Sequence, residues 1–128
     1  SAEEKYIVEN PFEADLVNYL HLVVSRVDFK AGLELHTFNL VQHSNSLLKL
    51  VEVDNAYQFL IGQFDGRAEL NQALDGPYKD GFIFIIDGVF EVQNRLLHPR
   101  DGLLLSQVQE FDFEALANNS IILLLTIS

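Results

Sequence analysis

The sequence predicts an all-β domain built from two antiparallel sheets, a sandwich or barrel of the jelly-roll kind, and three observations carry that expectation. From Gly81 onward short apolar runs recur at 81–87, 89–93, 102–106, 108–115 and 120–127, the spacing of strands in a packed β fold. Turn chemistry separates the runs: Asp65-Gly66, Asp87-Gly88 and Arg100-Asp101-Gly102 each offer a glycine that tolerates the positive φ of a tight hairpin. Helix is scarce. Arg67–Leu74 is the best helical window, and it is too short to hold an isolated helix.

Taken in order, residues 1–15 are acidic and contain Asn10-Pro11, and they read as an arm or interdomain linker. One domain is expected over 16–128. LVNYLHLVV (16–24) reads as a strand, 29–32 as a connection, and ELHTFNLV (34–41) as a partly alternating strand. The polar QHSNS (42–46) is a loop. In LLKLVEV (47–53), Leu48, Leu50 and Glu52 should face one way and Leu47, Lys49, Val51 and Val53 the other. Asp54-Asn55 marks a turn, Tyr57–Phe64 a long strand, and Asp65-Gly66 a hairpin into 67–74. Asp75-Gly76-Pro77 should break the ladder, since proline lacks an amide donor. Phe82–Ile86 is β-branched or aromatic on both faces, as in a strand buried on both sides, and Asp87-Gly88 should turn it back as a hairpin. The final strand, Ser120–Ile127, is flat, apolar and uncharged, a pairing hazard if it lies at an edge.

Composition limits the function. The 128 residues are 48% hydrophobic, enough for one real core. A net charge of −11, with the eight Lys and Arg scattered singly, opposes binding to nucleic acid or to an anionic membrane. The absence of cysteine leaves neither disulfides nor thiolate metal sites and fits a cytoplasmic location. The chain begins at Ser1 and contains no methionine, so an upstream segment or domain is expected.

A buried strand, a turn glycine, a short strand and an Asp-Gly turn, in that order over 78–102, resemble the cupin superfamily, whose fold is a double-stranded β-helix. More narrowly, FEVQNRLLHPRDGLLL followed by EFDFEALANNSIILLL looks like the C-terminal cupin of pirin-like, quercetinase-like proteins, and NPFEADLVNYLHLVV looks like the segment that links their two cupins. In a metal-binding cupin, a His-x-His pair, a Glu and a third His converge inside the barrel. Gly88 matches the turn glycine of the first motif, which puts the Glu position at Gly81 and the His-x-His near Leu74–Pro77, where no histidine stands. Asp101 matches the acidic residue of the second motif, Arg100 replaces its glycine, and the third His position falls at about Phe111. The resemblance therefore implies a non-catalytic, metal-free module without its own cofactor. Its partner is expected to be a metal-bearing N-terminal cupin or another copy of itself, in a full-length protein with dioxygenase or regulatory roles.

The remaining candidates are few. His21 lies in an apolar pattern, His36 and His43 flank a loop, and His98 precedes Pro99 in a turn; none has a second ligand at strand spacing i+2. Tyr57, Phe59, Phe82 and Phe84, with Phe64 and Phe90, belong either to the core or to a pocket for a small apolar ligand. Glu110, Asp112 and Glu114 alternate with Phe111, Phe113 and Ala115, giving a solvated acidic face or, if they converged inside the barrel, a reason to consider catalysis. Asn118-Asn119-Ser120 satisfies the glycosylation sequon, a triplet that also arises by chance.

Overall fold

The computed structural model describes residues 7–23, 35–53 and 56–128. The chain divides into two units, Ser1–Glu34 and Leu35–Ser128. In the first unit, residues 7–23 are exposed and carry neither strand nor helix, which corrects the strand expected at 16–24. Apolar residues form a strand only when another strand satisfies their backbone, and none pairs here. The Asn10 side chain caps a local turn, accepting from Phe12 N at 2.9 Å and donating to Asp15 O at 2.7 Å. The connection expected at 29–32 and the turn at 54–55 lie outside the described residues.

The described residues of the second unit are all β apart from one 3-10 turn, Val41–His43, and residues 35–40 carry no strand, which corrects the strand expected at 34–41. Its strands are β1 (Leu48–Val53), β2 (Tyr57–Phe64), β3 (Glu69–Ala73), β4 (Asp80–Asp87), β5 (Phe90–Val92), β6 (Arg95–Leu97), β7 (Gly102–Leu105), β8 (Glu110–Ala115) and β9 (Ser120–Ile127). They form a five-stranded sheet, β1-β2-β9-β4-β7, and a four-stranded sheet, β3-β8-β5-β6, with every pairing antiparallel. The window 67–74 became β3 because pairing with β8 outweighs the weak helical preference of five residues. No helix among the described residues is long and apolar enough to cross a membrane.

Two expected hairpins are crossings between the sheets. β2 and β3 lie in different sheets, as do β4 and β5, so Asp65-Gly66 and Asp87-Gly88 carry the chain from one layer to the other. The tight two-residue hairpin is instead Gln93-Asn94, where φ is 47° and 62°, joining β5 to the short β6. Positive φ at both central positions is the mark of the primed turn that matches strand twist. Gln93 is held there by β8, accepting from Asp112 N at 2.8 Å and donating to Glu110 O at 3.3 Å.

Alternation decides what each sheet buries. Leu60 and Phe64 of β2, Ile83 and Ile85 of β4, Phe90 and Val92 of β5, Phe111, Phe113 and Ala115 of β8, and Ile122 and Leu124 of β9 share one core. At one end Phe64, Phe90 and Phe113 pack edge to face, with ring centroids 5.2 to 6.1 Å apart. Each such pair contributes about 0.5–1.5 kcal/mol beyond area burial. β4 is buried on its inner face only; Phe82, Phe84 and Ile86 are half-buried on the outside. β9 is the central strand of its sheet, flanked by β2 and β4, so it is no exposed edge. In β1 a register shift between Lys49 and Val51 changes the facing: Lys49 opposes Leu60 and Glu52 opposes Gln58, while Val51 opposes Phe59.

Candidate functional site

Two of the positions that the resemblance assigns to metal ligands, 81 and 111, are brought together here with other side chains. Gly81, on β4, and Phe111, on β8, face each other across the barrel, and both are buried. A Cβ built on Gly81 would lie 2.7 Å from Phe111 Cε1 and still closer to Cζ. The ring thus lies against the glycine backbone and takes up the volume that a Glu at 81 or an imidazole at 111 would need. The residues present do not fit a metal. Among the described residues no group of three or more His, Cys, Asp or Glu side chains is placed to hold one.

Gly88 has φ +78°, and a Cβ there would meet the Ser120 side chain and lie 2.7 Å from Ser120 Cα. Ser120 is fully buried and donates to Ala117 O at 2.7 Å. The serine of Asn118-Asn119-Ser120 is therefore part of the core, while Asn118 is exposed and accepts from Gly66 N at 2.9 Å. In the second turn Arg100 takes φ 74° in place of a glycine, and Asp101 closes the loop by accepting from His98 N at 2.8 Å.

His21 is exposed in the first unit, and His98 is exposed beside Asp101, with Nδ1 3.9 Å from Oδ2. His36 and His43 both line an open depression of about 610 Å³ with Phe38, Gln42, Leu48 and Leu50. No carboxylate joins them among its described lining residues.

The four aromatic pocket candidates lie on the outside of the five-stranded sheet. Phe59 and Phe82 both stand opposite Leu125, and Tyr57 packs on Phe59 with centroids 5.5 Å apart. An interior pocket lined by Tyr57, Phe59, Phe82 and Phe84 is not formed, because alternation puts Leu60, Ile83 and Ile85 inside instead. Phe64 and Phe90 are core residues. Across this outer face Val51, Phe59, Leu125, Phe82 and Leu104 follow one another, one from each strand.

The carboxylates Glu110, Asp112 and Glu114 project outward from β8, while Phe111, Phe113 and Ala115 point in. They are joined by Glu69 and Glu91, which stand on either side of Glu114. Arg67 Nη1 lies 3.3 Å from Glu114 Oε1. The acidic strand is a solvated face.

What sequence reasoning missed is a polar cleft at the opposite end of the core from the aromatic cluster. Lys49, Gln58, Gln72, Asp75, Tyr78 and Thr126 line it, with Leu60 and Leu74 as apolar surface, and its volume is about 270 Å³. Nothing in the local sequence singles out Gln58 or Gln72. Their register, which brings β1, β2, β3 and β9 to one opening, could not be read from local pattern.

Two antiparallel sheets closed around a common apolar interior define a cupin-type β-barrel. The family described as the quercetinase C-terminal cupin domain matches residues 45–126, and the chain belongs to it. Solved structures agree in fold. KdgF from Halomonas sp. is 18% identical with a TM-score of 0.52, over 64% of this chain and 77% of that one. YhhW from Escherichia coli is 14% identical with a TM-score of 0.52, over 56% of this chain and 30% of that one. A nickel(II) complex of YhhW, described as a bacterial pirin, is 13% identical with a TM-score of 0.50 and the same coverage. The chain thus matches less than a third of YhhW's length. No curated protein sequence shows a significant match.

Proposed function

We propose that this chain is a non-catalytic, metal-free cupin module that supports a metal-bearing N-terminal cupin in a longer pirin-like protein. The contact between Gly81 and Phe111 carries this reading, because ring and backbone fill the place where metal ligands would meet. Membership of the quercetinase C-terminal cupin domain family supports it, as does the much greater length of YhhW, a pirin that has been obtained with nickel(II). In this reading the dioxygenase or regulatory chemistry belongs to the companion domain. This domain contributes a stable barrel and the largely apolar outer face of its larger sheet, in a cytoplasmic protein.

Elemental analysis of the purified chain tests the first half. Less than about 0.1 equivalent of iron, nickel, copper or zinc is expected, since no ligand set offsets the cost of taking a cation out of water. One tightly held transition metal per chain would overturn the reading.

A further inference from the structure

The inner faces of the two sheets are mostly aliphatic or aromatic, with Ser120 buried beside Phe64 at one end and a layer of several polar groups at the other. Gln58, Thr126 and Gly81 stand opposite one another on β2, β9 and β4, and Gln72 stands opposite Phe111 on β3 and β8. Contact between Phe111 and Gly81 closes this layer on the β4/β8 side. On the β1/β3 side it opens into the cleft of about 270 Å³. Two amides and a hydroxyl, drawn from both sheets, thus replace the aliphatic side chains found one step along the same faces: Leu60, Leu70 and Leu124.

The fold leaves part of this polarity unspent. Thr126 is 3% exposed, on a strand otherwise aliphatic from Ile121 to Leu125, and its hydroxyl reaches Gln58 Oε1 only at 3.5 Å, the outer limit of a hydrogen bond. Burying a hydroxyl with so weak a partner costs free energy that a valine in its place would not. Gln58 Nε2 donates to Glu52 Oε2, and Lys49 Nζ lies 3.5 Å from the same oxygen. Gln72 Nε2 engages the adjacent Ala73 O at 3.2 Å, leaving its carbonyl oxygen to accept.

We propose that this cleft binds a small neutral polyhydroxylated molecule, about the size of a single sugar ring. Its volume lies just below the roughly 300 Å³ at which drug-sized sites begin. Amide, hydroxyl and carboxylate groups beside Leu60, Leu74 and Tyr78 suit a ligand with hydroxyl edges and C–H faces. Lys49 and Glu52 offset each other, and Asp75, with the −11 charge of the chain, disfavours an anion. The proposal is independent of the docking role above, since the cleft opens between the sheets and not on the outer face.

The test is a titration of the isotopically labelled 128-residue chain with D-glucose and D-galactose, read by backbone amide shifts, with D-glucuronate and D-glucosamine as charged counterparts. Saturable shifts are expected at Gln58, Gln72, Leu74, Asp75 and Thr126 with a neutral sugar. Thr126→Val and Gln72→Leu should each weaken binding by about fivefold or more, the loss expected when one hydrogen bond is removed. Gln72 is half-buried on an edge strand, and Thr126→Val removes a hydroxyl whose bond to Gln58 is only 3.5 Å long, so both variants should keep the spectrum of a folded barrel. No saturable shift with either neutral sugar, tighter binding of either charged counterpart, or unchanged binding in both folded variants would each overturn the proposal.

Discussion

Gly81 and Gly88 are glycines for different reasons. At Gly81 the side chain is excluded by Phe111, whereas at Gly88 both the φ of +78° and the approach of Ser120 exclude it. Gly76 separates these effects, because its φ is +63° but nothing lies within 4 Å of a Cβ there. Gly76→Ala should cost about 1–2 kcal/mol, the strain of a left-handed L residue. Gly88→Ala should cost about 2–4 kcal/mol, since overpacking adds to the same strain, and Gly88→Val should cost no less. Denaturant melts of the variants read the difference directly. Equal midpoints for Gly76→Ala and Gly88→Ala would mean that Ser120 yields freely.

At the scale of elements, the four-stranded sheet carries an avoidable electrostatic cost. Glu69, Glu114 and Glu91 stand side by side on β3, β8 and β5, and Arg67 reaches Glu114 from one end only. Like charges directly opposite one another destabilise a sheet, while an opposite-charge pair contributes roughly 0.2–1 kcal/mol. Glu91→Lys should therefore raise the denaturation midpoint by a corresponding amount, and the gain should shrink as salt is added. A variant no more stable than the parent at low salt would show that the three side chains splay apart into water. The hairpin beside this row works differently: Gln93 and Asn94 adopt positive φ without glycine because bonds to β8 hold the turn in place.

At the largest scale, the outer faces of the two sheets of the β unit differ in chemistry. The outer face of the four-stranded sheet carries Glu69, Glu91, Glu110, Asp112 and Glu114, whereas a row of Val51, Phe59, Leu125, Phe82 and Leu104 crosses the larger one. Antiparallel sheets commonly leave one face polar and solvated, so an apolar outer row signals an interface. The isolated chain should therefore self-associate at high concentration, as light scattering would detect. Leu104, on edge strand β7, is 65% exposed, and Leu104→Lys should return the chain to monomer without unfolding it. Association that persists unchanged in that variant would locate the contact elsewhere. The original reason for expecting association, an exposed terminal strand, does not hold, because β9 is paired on both sides.

Local chemistry in the sequence determined which segments from Tyr57 onward would be strands, since alternation, β-branching and Gly-rich breaks act within a few residues. It also determined the outward facing of Glu110, Asp112 and Glu114, whereas the placing of Gly81 and Phe111 at ligand positions is what the family resemblance implies. β6 escaped notice because Gln93-Asn94 is a weak turn signal that tertiary bonds strengthen. The segment 16–23 misled because its apolar pattern has no pairing strand, and pairing is not a local property. Only the tertiary structure decided that Asp65-Gly66 and Asp87-Gly88 cross between sheets, that Phe111 rests on Gly81, and that Gln58, Gln72 and Thr126 share one cleft. Each of these depends on register between strands far apart in the chain, and a shift of one residue would turn every side chain to the opposite face.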